Sequence, residues 1–386
     1  MPVLNRIADL APEITGWRHD FHRHPELMYE VHRTAARVAE LLRSFGCDEV
    51  ATGLGRTGVV GIIRGNRPGP TIGLRADMDA LPMTEDTGRP HGSTIPGRMH
   101  ACGHDGHTAM LLGAAKYLAE TRDFAGTVAV VFQPAEEGGA GGLAMANDGL
   151  FTRWPIERIF ALHNLPGFAE GQVLTRPGAL LASADTFDIT ITGKGGHAAW
   201  PHATVDPIVA AGQIITALQT VVARGTGPLQ SAVLSVTKVN AGSAHNIIPD
   251  TATLAGTLRS LDPALRDRNE ARLREIATGV GAALGCTVTV QVDRITGVVM
   301  NDPAATALCA QVAAGVVGAA NVDTDMAPLM GGDDFSYMAD VVPACYVFMG
   351  NGMTGGLHTT GYDFNDAIIP TGVSYWVALA QAATGG

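Results

Sequence analysis

Four short apolar runs constrain the fold of this chain more than any other feature: TIGLRA (71–76), TVAVVF (127–132), RIFAL (158–162) and CYVFM (345–349). Each is strand-length, carries β-branched or aromatic side chains, and ends abruptly in polar residues. Helical stretches alternate with them, notably HTAMLLGAAKYLAE (107–120). Buried strands alternating with helices predict an α/β fold with a mostly parallel sheet covered on both faces. The stretch to about residue 45 reads as helical. Its second part, TAARVAELLRSFG (34–46), has apolar positions at helical spacing and Gly46 at the stop.

Residues 183–296 have another rhythm: strand 184–192, helix 205–222, strand 231–240, strand 250–259, helix 263–284, strand 286–292. The order β-α-β-β-α-β is the ferredoxin-like pattern. With 386 residues, the chain exceeds the length at which one hydrophobic core stops growing. The expected organisation is therefore a larger α/β domain (1–182 and 297–386) interrupted by an α+β insert (183–296). A helix at 303–319 and another after Pro370 return to the larger domain.

The formal charge of −11 argues against a nucleic-acid partner, because phosphate binding needs clustered Lys and Arg. Arg6, Asp9, Glu13, Arg18 and Asp20 interrupt the first 25 residues, so no secretory apolar region is expected there. No apolar run reaches the 18 or so residues of a membrane span, so no membrane partner is expected. Five cysteines (47, 102, 286, 309 and 345), scattered and odd in number, make no disulfide framework. A reducing cytoplasm is the expected setting.

Polar residues gather just past the proposed strand ends. Asp77 and Asp79 follow the first run, Glu136 and Glu137 the second, His163 the third. In open α/β sheets, ligands bind in the crevice beyond those ends. HACGHDGH (100–107) packs Cys, Asp and three His into eight residues. A lone loop His is ordinarily a solvated or capping residue, but this cluster offers the thiolate and imidazole that zinc-like ions prefer beside carboxylates that suit manganese. Cys102-x-His104 fits a loop aiming both side chains at one point. Adjacent glutamates such as Glu136–Glu137 are common in solvated turns. Here they follow a buried strand and precede GGAGG, so one could bind metal while the other serves as general base. His358 in LHTTGYDF (357–364) and His197 in GKGGHAAWPH (193–202) would, taken singly, be structural.

Together these strings resemble a known family. FHRHPEL (21–27), LRADMDALP (74–82), MHACGHDGH (99–107), FQPAEEGG (132–139), FALHN (160–164), GKGGHAAWPH, AHNIIPD (244–250), GTLRSLDP (256–263), MGGDDFSYM (330–338) and LHTTGYDF run in order over nearly the whole chain. They are similar to the M20 metallopeptidases and amidohydrolases, in the branch of hippurate, N-acyl-amino-acid and auxin-conjugate hydrolases. The resemblance implies a catalytic domain and an inserted lid domain that commonly forms homodimers. It puts two divalent metal ions (manganese, zinc, cobalt or nickel) on Cys102, His104, Glu137, His163 and His358, with Cys102 bridging. It makes Glu136 the general base and sets Asp79 behind the metals. Asp77 stands where other branches carry a metal-binding His, and His104 takes that role. His197 matches a lid histidine reaching the partner subunit's site. Asn246 and Arg259 match the receptor for the substrate carboxylate. Asp333 departs from the usual GGED.

The implied reaction is hydrolysis of an N-acyl amino acid, a small molecule, to a carboxylic acid and a free amino acid. Three rivals stand beside it: a dipeptidase or carboxypeptidase of the same fold, a metal-independent cysteine hydrolase using Cys102, and a non-enzymatic binding module. Carboxylates around Cys102 disfavour a free thiolate.

Overall fold

A computed structural model describes residues 5–385. Contacts divide the chain into two compact units. The first runs to Leu180 and resumes over Met300–Ala327 and from Asp334 onward; the second comprises Leu181–Val299 with Pro328–Asp333.

The first unit is built on an eight-stranded sheet. Its centre is four parallel strands in the order Ala125–Gln133, Arg67–Asp77, Arg158–Leu165, Ala344–Gly350. These contain the four apolar runs. Ala125–Gln133 and Ala344–Gly350 are buried almost throughout, as a sheet covered on both faces requires. One edge carries an antiparallel hairpin, Glu49–Leu54 with Gly58–Arg64; the other carries the short strands Val173–Leu174 and Val322–Asp323. The sheet is therefore mixed at its edges and parallel where the strand ends gather polar residues.

Helices Asn5–Arg23, His32–Ser44, His104–Thr121, Pro303–Val317 and Ile369–Ala383 pack against the sheet or one another. The core interleaves their apolar faces, such as Ile14, Phe21, Leu42, Leu111 and Trp376, with Leu74, Val130 and Phe160 of the sheet. No described helix is long and apolar enough to cross a membrane.

In the second unit a four-stranded antiparallel sheet has the order Ala232–Ala241, Thr251–Ser260, Ser183–Thr192, Thr287–Thr296. Helices Pro207–Ala223 and Pro263–Ala283 cover it, completing the β-α-β-β-α-β order read from the sequence. Strand Ser183–Thr192 alternates buried and exposed positions, the signature of a sheet covered on one face only. Both helices start on an aspartate cap followed by proline: Asp206 accepts from Ile208 N, and Asp262 from Leu265 N. The segment Pro328–Asp333 is laid alongside this unit, where Ala182 N donates to the Leu329 and Gly331 carbonyls.

Candidate metal centre

Parallel register sets the level at which side chains leave the first unit's sheet. Asp77 pairs with Gln133, and Arg75 pairs with Ala161, which places Asp77 and His163 two residues further along adjacent strands. The strand containing His163 continues to Leu165, so this histidine projects from the strand itself and not from the loop beyond it.

Helix His104–Thr121 begins three residues before the apolar run suggests. Gly103 precedes it at φ +96°, and no side chain caps it. A Cβ at Gly103 would meet Asn164 Oδ1 at 2.1 Å and Tyr362 Oη at 2.5 Å, so only glycine fits this turn. The turn brings Cys102 Sγ to 3.4 Å from His163 Nε2. His358 arrives from the tail at φ +59°, its amide bonded to the Ala101 carbonyl at 2.8 Å. Its Nε2 lies 3.3 Å from Glu137 Oε1.

The turn carrying the two glutamates is held from below. Asp79, fully buried, accepts the Glu136 amide at 3.0 Å and the Glu137 amide at 3.2 Å, one on each oxygen. His104 Nδ1 lies 2.8 Å from the Asp79 carbonyl oxygen, to which it can only donate. That fixes the ring's orientation and turns Nε2 toward Glu136 and Glu137, both at 4.0 Å. His163 repeats the device: Nδ1 donates to the Asn164 carbonyl at 2.6 Å, leaving Nε2 toward Cys102.

Among the sets of donor atoms that lie within 4.8 Å of one another in the described residues, two combine the five candidate ligands: Cys102, His104 and His163; and Cys102, Glu137 and His358. Cys102 belongs to both. Burial pushes its thiol up to about 12, and the charge of Glu137 pushes the same way. A free nucleophilic thiolate is thereby disfavoured, whereas a cation would reverse the balance. His104 Nε2 and Glu137 Oε1 are buried without a hydrogen-bond partner. Buried polar atoms left without a partner cost free energy, on the order of 1–3 kcal/mol each. Two such atoms beside a thiol and two more imidazoles fit a divalent cation pair in donor type and number.

Asp77 takes a different place. Its Oδ1 bonds His107 Nδ1 at 2.6 Å and its Oδ2 bonds Arg75 Nη1 at 2.7 Å. Burial opposes its charge, but His104, Arg75 and His107 outweigh this and hold the carboxyl well below its usual range. His107 is spent between Asp77 and Asn164 Oδ1, at 2.7 Å. The pair braces the floor of the centre.

The profile of Peptidase family M20/M25/M40 matches residues 73–382. The chain belongs to that family. It is 40% identical over 380 residues to hippurate hydrolase of Campylobacter jejuni, covering 98% of this chain and 99% of that relative. It is also 40% identical to an N-acetyl-L-cysteine deacetylase of Bacillus subtilis, covering 94% and 86%. Among solved structures it superposes on a dinuclear metal-binding peptidase of the M20 family from Bacillus subtilis with a TM-score of 0.85, at 32% identity and covering 98% and 99%.

The other residues singled out in this M20 chain lie in the second unit. The bridge Ile247↔His197 and the bond from Ala198 N to the Asn246 carbonyl, at 3.0 Å, make His197 and Asn246 neighbours on one short ribbon. Both are exposed. Arg259 lies on strand Thr251–Ser260 and donates from Nη1 to the Met330 carbonyl at 2.9 Å. Asp333 is buried. The sequence reading missed His107, Asn164 and Asp334. Asp334 accepts from Gln133 Nε2 at 2.6 Å and from Gly142 N at 2.8 Å, bracing both ends of the glutamate turn. The helical i, i+3 spacing of His104 and His107 was a usable signal; nothing local marked the other two.

Proposed function

We propose that this chain is a metal-dependent amidohydrolase that cleaves N-acyl amino acids, of the hippurate or N-acetyl type, to a carboxylic acid and a free amino acid. The observation that carries the reading is the convergence of Cys102, His104, Glu137, His163 and His358 from four segments, with two of their buried atoms lacking a hydrogen-bond partner. Relatives covering nearly the whole chain and named for N-acyl amino acid hydrolysis support the substrate class.

Two divalent cations on those five residues, manganese, zinc, cobalt or nickel, would supply Lewis acidity to the scissile carbonyl and acidity to water. Glu136 takes the proton of the attacking water and returns it to the leaving amine. Asp79 fixes the turn by holding the amides of both Glu136 and Glu137, so one carboxylate can bind while its neighbour stays free to move a proton. Arg259, with Asn246, receives the substrate carboxylate; a guanidinium can do so bidentately. His197 donates to the developing oxyanion of a partner subunit's site, the second unit acting as lid and dimer surface in a cytoplasmic homodimer.

Prolonged chelation should abolish hydrolysis of hippurate and N-acetyl amino acids, and manganese, cobalt, nickel or zinc should restore it. Full activity in a preparation that elemental analysis shows to be metal-free would end the proposal.

A further inference from the structure

Beneath the metal-binding loop lies a second cluster of charged groups that the reaction does not use. Arg18 and His22 sit one turn apart on helix Asn5–Arg23, on the same face, and both side chains are fully buried. Both reach Asp105, the residue following His104. Arg18 Nε lies 3.0 Å from Asp105 Oδ2, and His22 Nδ1 lies 2.8 Å from the same oxygen. The opposite nitrogen of His22 lies 3.3 Å from Glu85 Oε2. Burial works against a charged His22, but Asp105 and Glu85 prevail and raise it to about 9. The imidazolium thus stands between two carboxylates.

Arg18 has a second hand. Its Nη2 donates to Asp363 Oδ1 at 2.5 Å and to the Phe364 carbonyl at 3.1 Å. Asp363 and Phe364 belong to the tail segment that begins with His358. The same segment is pressed against the helix: a Cβ at Gly106 would meet Phe364 Cε2 at 2.2 Å. One guanidinium therefore spans the segment bearing Cys102 and His104 and the segment bearing His358. Apart from the bond from His358 N to the Ala101 carbonyl, these two segments share no strand pairing among the described residues, and their mutual placement decides how far Cys102 stands from His358.

We infer that Arg18, supported by His22, is a positioning residue that sets the spacing between the Cys102–His104 segment and the His358 segment, and through it the affinity for the ion bound by Cys102, Glu137 and His358. This rests on the metal reading above. A planar fork with several donors suits the task, because it can bond both segments at once while an ammonium group bonds as a point.

The test begins with elemental analysis of the wild-type chain. A metal-free wild type would defeat the metal reading itself, separately from this inference. With two ions bound, cobalt titration followed by the thiolate-to-cobalt absorption and by calorimetry should show Arg18→Met weakening the ion at Glu137 and His358 by about 10–100-fold, the usual cost of disturbing groups that orient ligands. The cobalt spectrum should change as well. Arg266→Met is the control. It cuts a comparably buried pair with Asp185 in the second unit and should cost stability without altering cobalt affinity. Arg18→Lys keeps the charge but cannot hold both segments, so it should bind cobalt nearly as poorly as Arg18→Met. If Arg18→Met does not fold, Asp105→Asn should shift the same titration in the same direction. Wild-type cobalt affinity in Arg18→Lys, or losses matched by Arg266→Met, would overturn the inference.

Discussion

His104 and His197 both follow glycine in stretches rich in small residues, yet their surroundings are opposite. His104 is fully buried, and its ring is oriented by the Asp79 carbonyl. His197 is exposed, and its Nδ1 accepts the amide of Ala199, at 3.1 Å. The first belongs to a centre already assembled within one unit. The second is exposed on a short ribbon, held by the Ala199 amide and by its ring contact with Trp200, centroids 4.8 Å apart. Buried polar groups must be satisfied on folding, so a binding centre made of them is preorganised. Exposed groups are left for whatever arrives later. The contrast implies that substitutions in the first unit should act on metal and chemistry, and those in the second on recognition and closure.

Glu136→Gln should break catalysis hardest. A lost general base lowers kcat by about 10²–10⁴-fold, and elemental analysis should still find both ions if Glu137, as proposed, is the ligand. Near-normal turnover, or loss of metal, would mean the two glutamates have been assigned the wrong way round. Arg259→Ala should cost less and act on binding. A charge-assisted hydrogen bond of about 1.5–3 kcal/mol corresponds to roughly 10–150-fold in kcat/KM. The loss should fall on substrates with a free α-carboxylate; an equal loss on carboxamide analogues would reduce Arg259 to its bond with Met330. The smallest signal sharpens the contrast most. His197→Ala and Glu136→Gln chains, mixed under subunit exchange, should recover activity approaching about one quarter of wild type, because about half of the two-fold dimers are mixed and each has one complete site. No recovery despite confirmed exchange would return His197 to its own subunit.

How legible this was depended on distance along the chain. The parallel strands and the β-α-β-β-α-β order were plain because a strand's burial is written in its own five or six residues. Cys102, His104, Glu137 and His163 stand out as candidate ligands in a rich loop or just past a buried strand, whereas His358 enters only through the family resemblance. Helix His104–Thr121 hid its first turn because Gly103 takes the place of a capping side chain, and the usual start signal is missing. The edge hairpin Glu49–Arg64 hid behind glycines, Gly53 at φ +84° where the first strand's register breaks and Gly55 at φ +57° in the turn. Asp105 was read as one more polar residue in a rich loop. Its partners lie 83 residues away at His22 and further still along the chain, and no local pattern records such a pairing. The return of Pro328–Asp333 to the second unit left no trace either, since loop carbonyls that accept from Ala182 and Arg259 can belong to any residue type.

The left-handed backbone at His358 has a consequence for how this centre could change. Among residues with side chains, asparagine, aspartate and histidine are several-fold enriched in that region. Cysteine and glutamate can both hold a divalent ion, but neither suits the peptide geometry here. A selection for altered metal preference would therefore find few routes through this position. Aspartate is the one exchange that keeps both the backbone and a donor, and its shorter reach would draw the harder cations. The hand of one peptide unit limits which metals the protein's descendants can come to prefer.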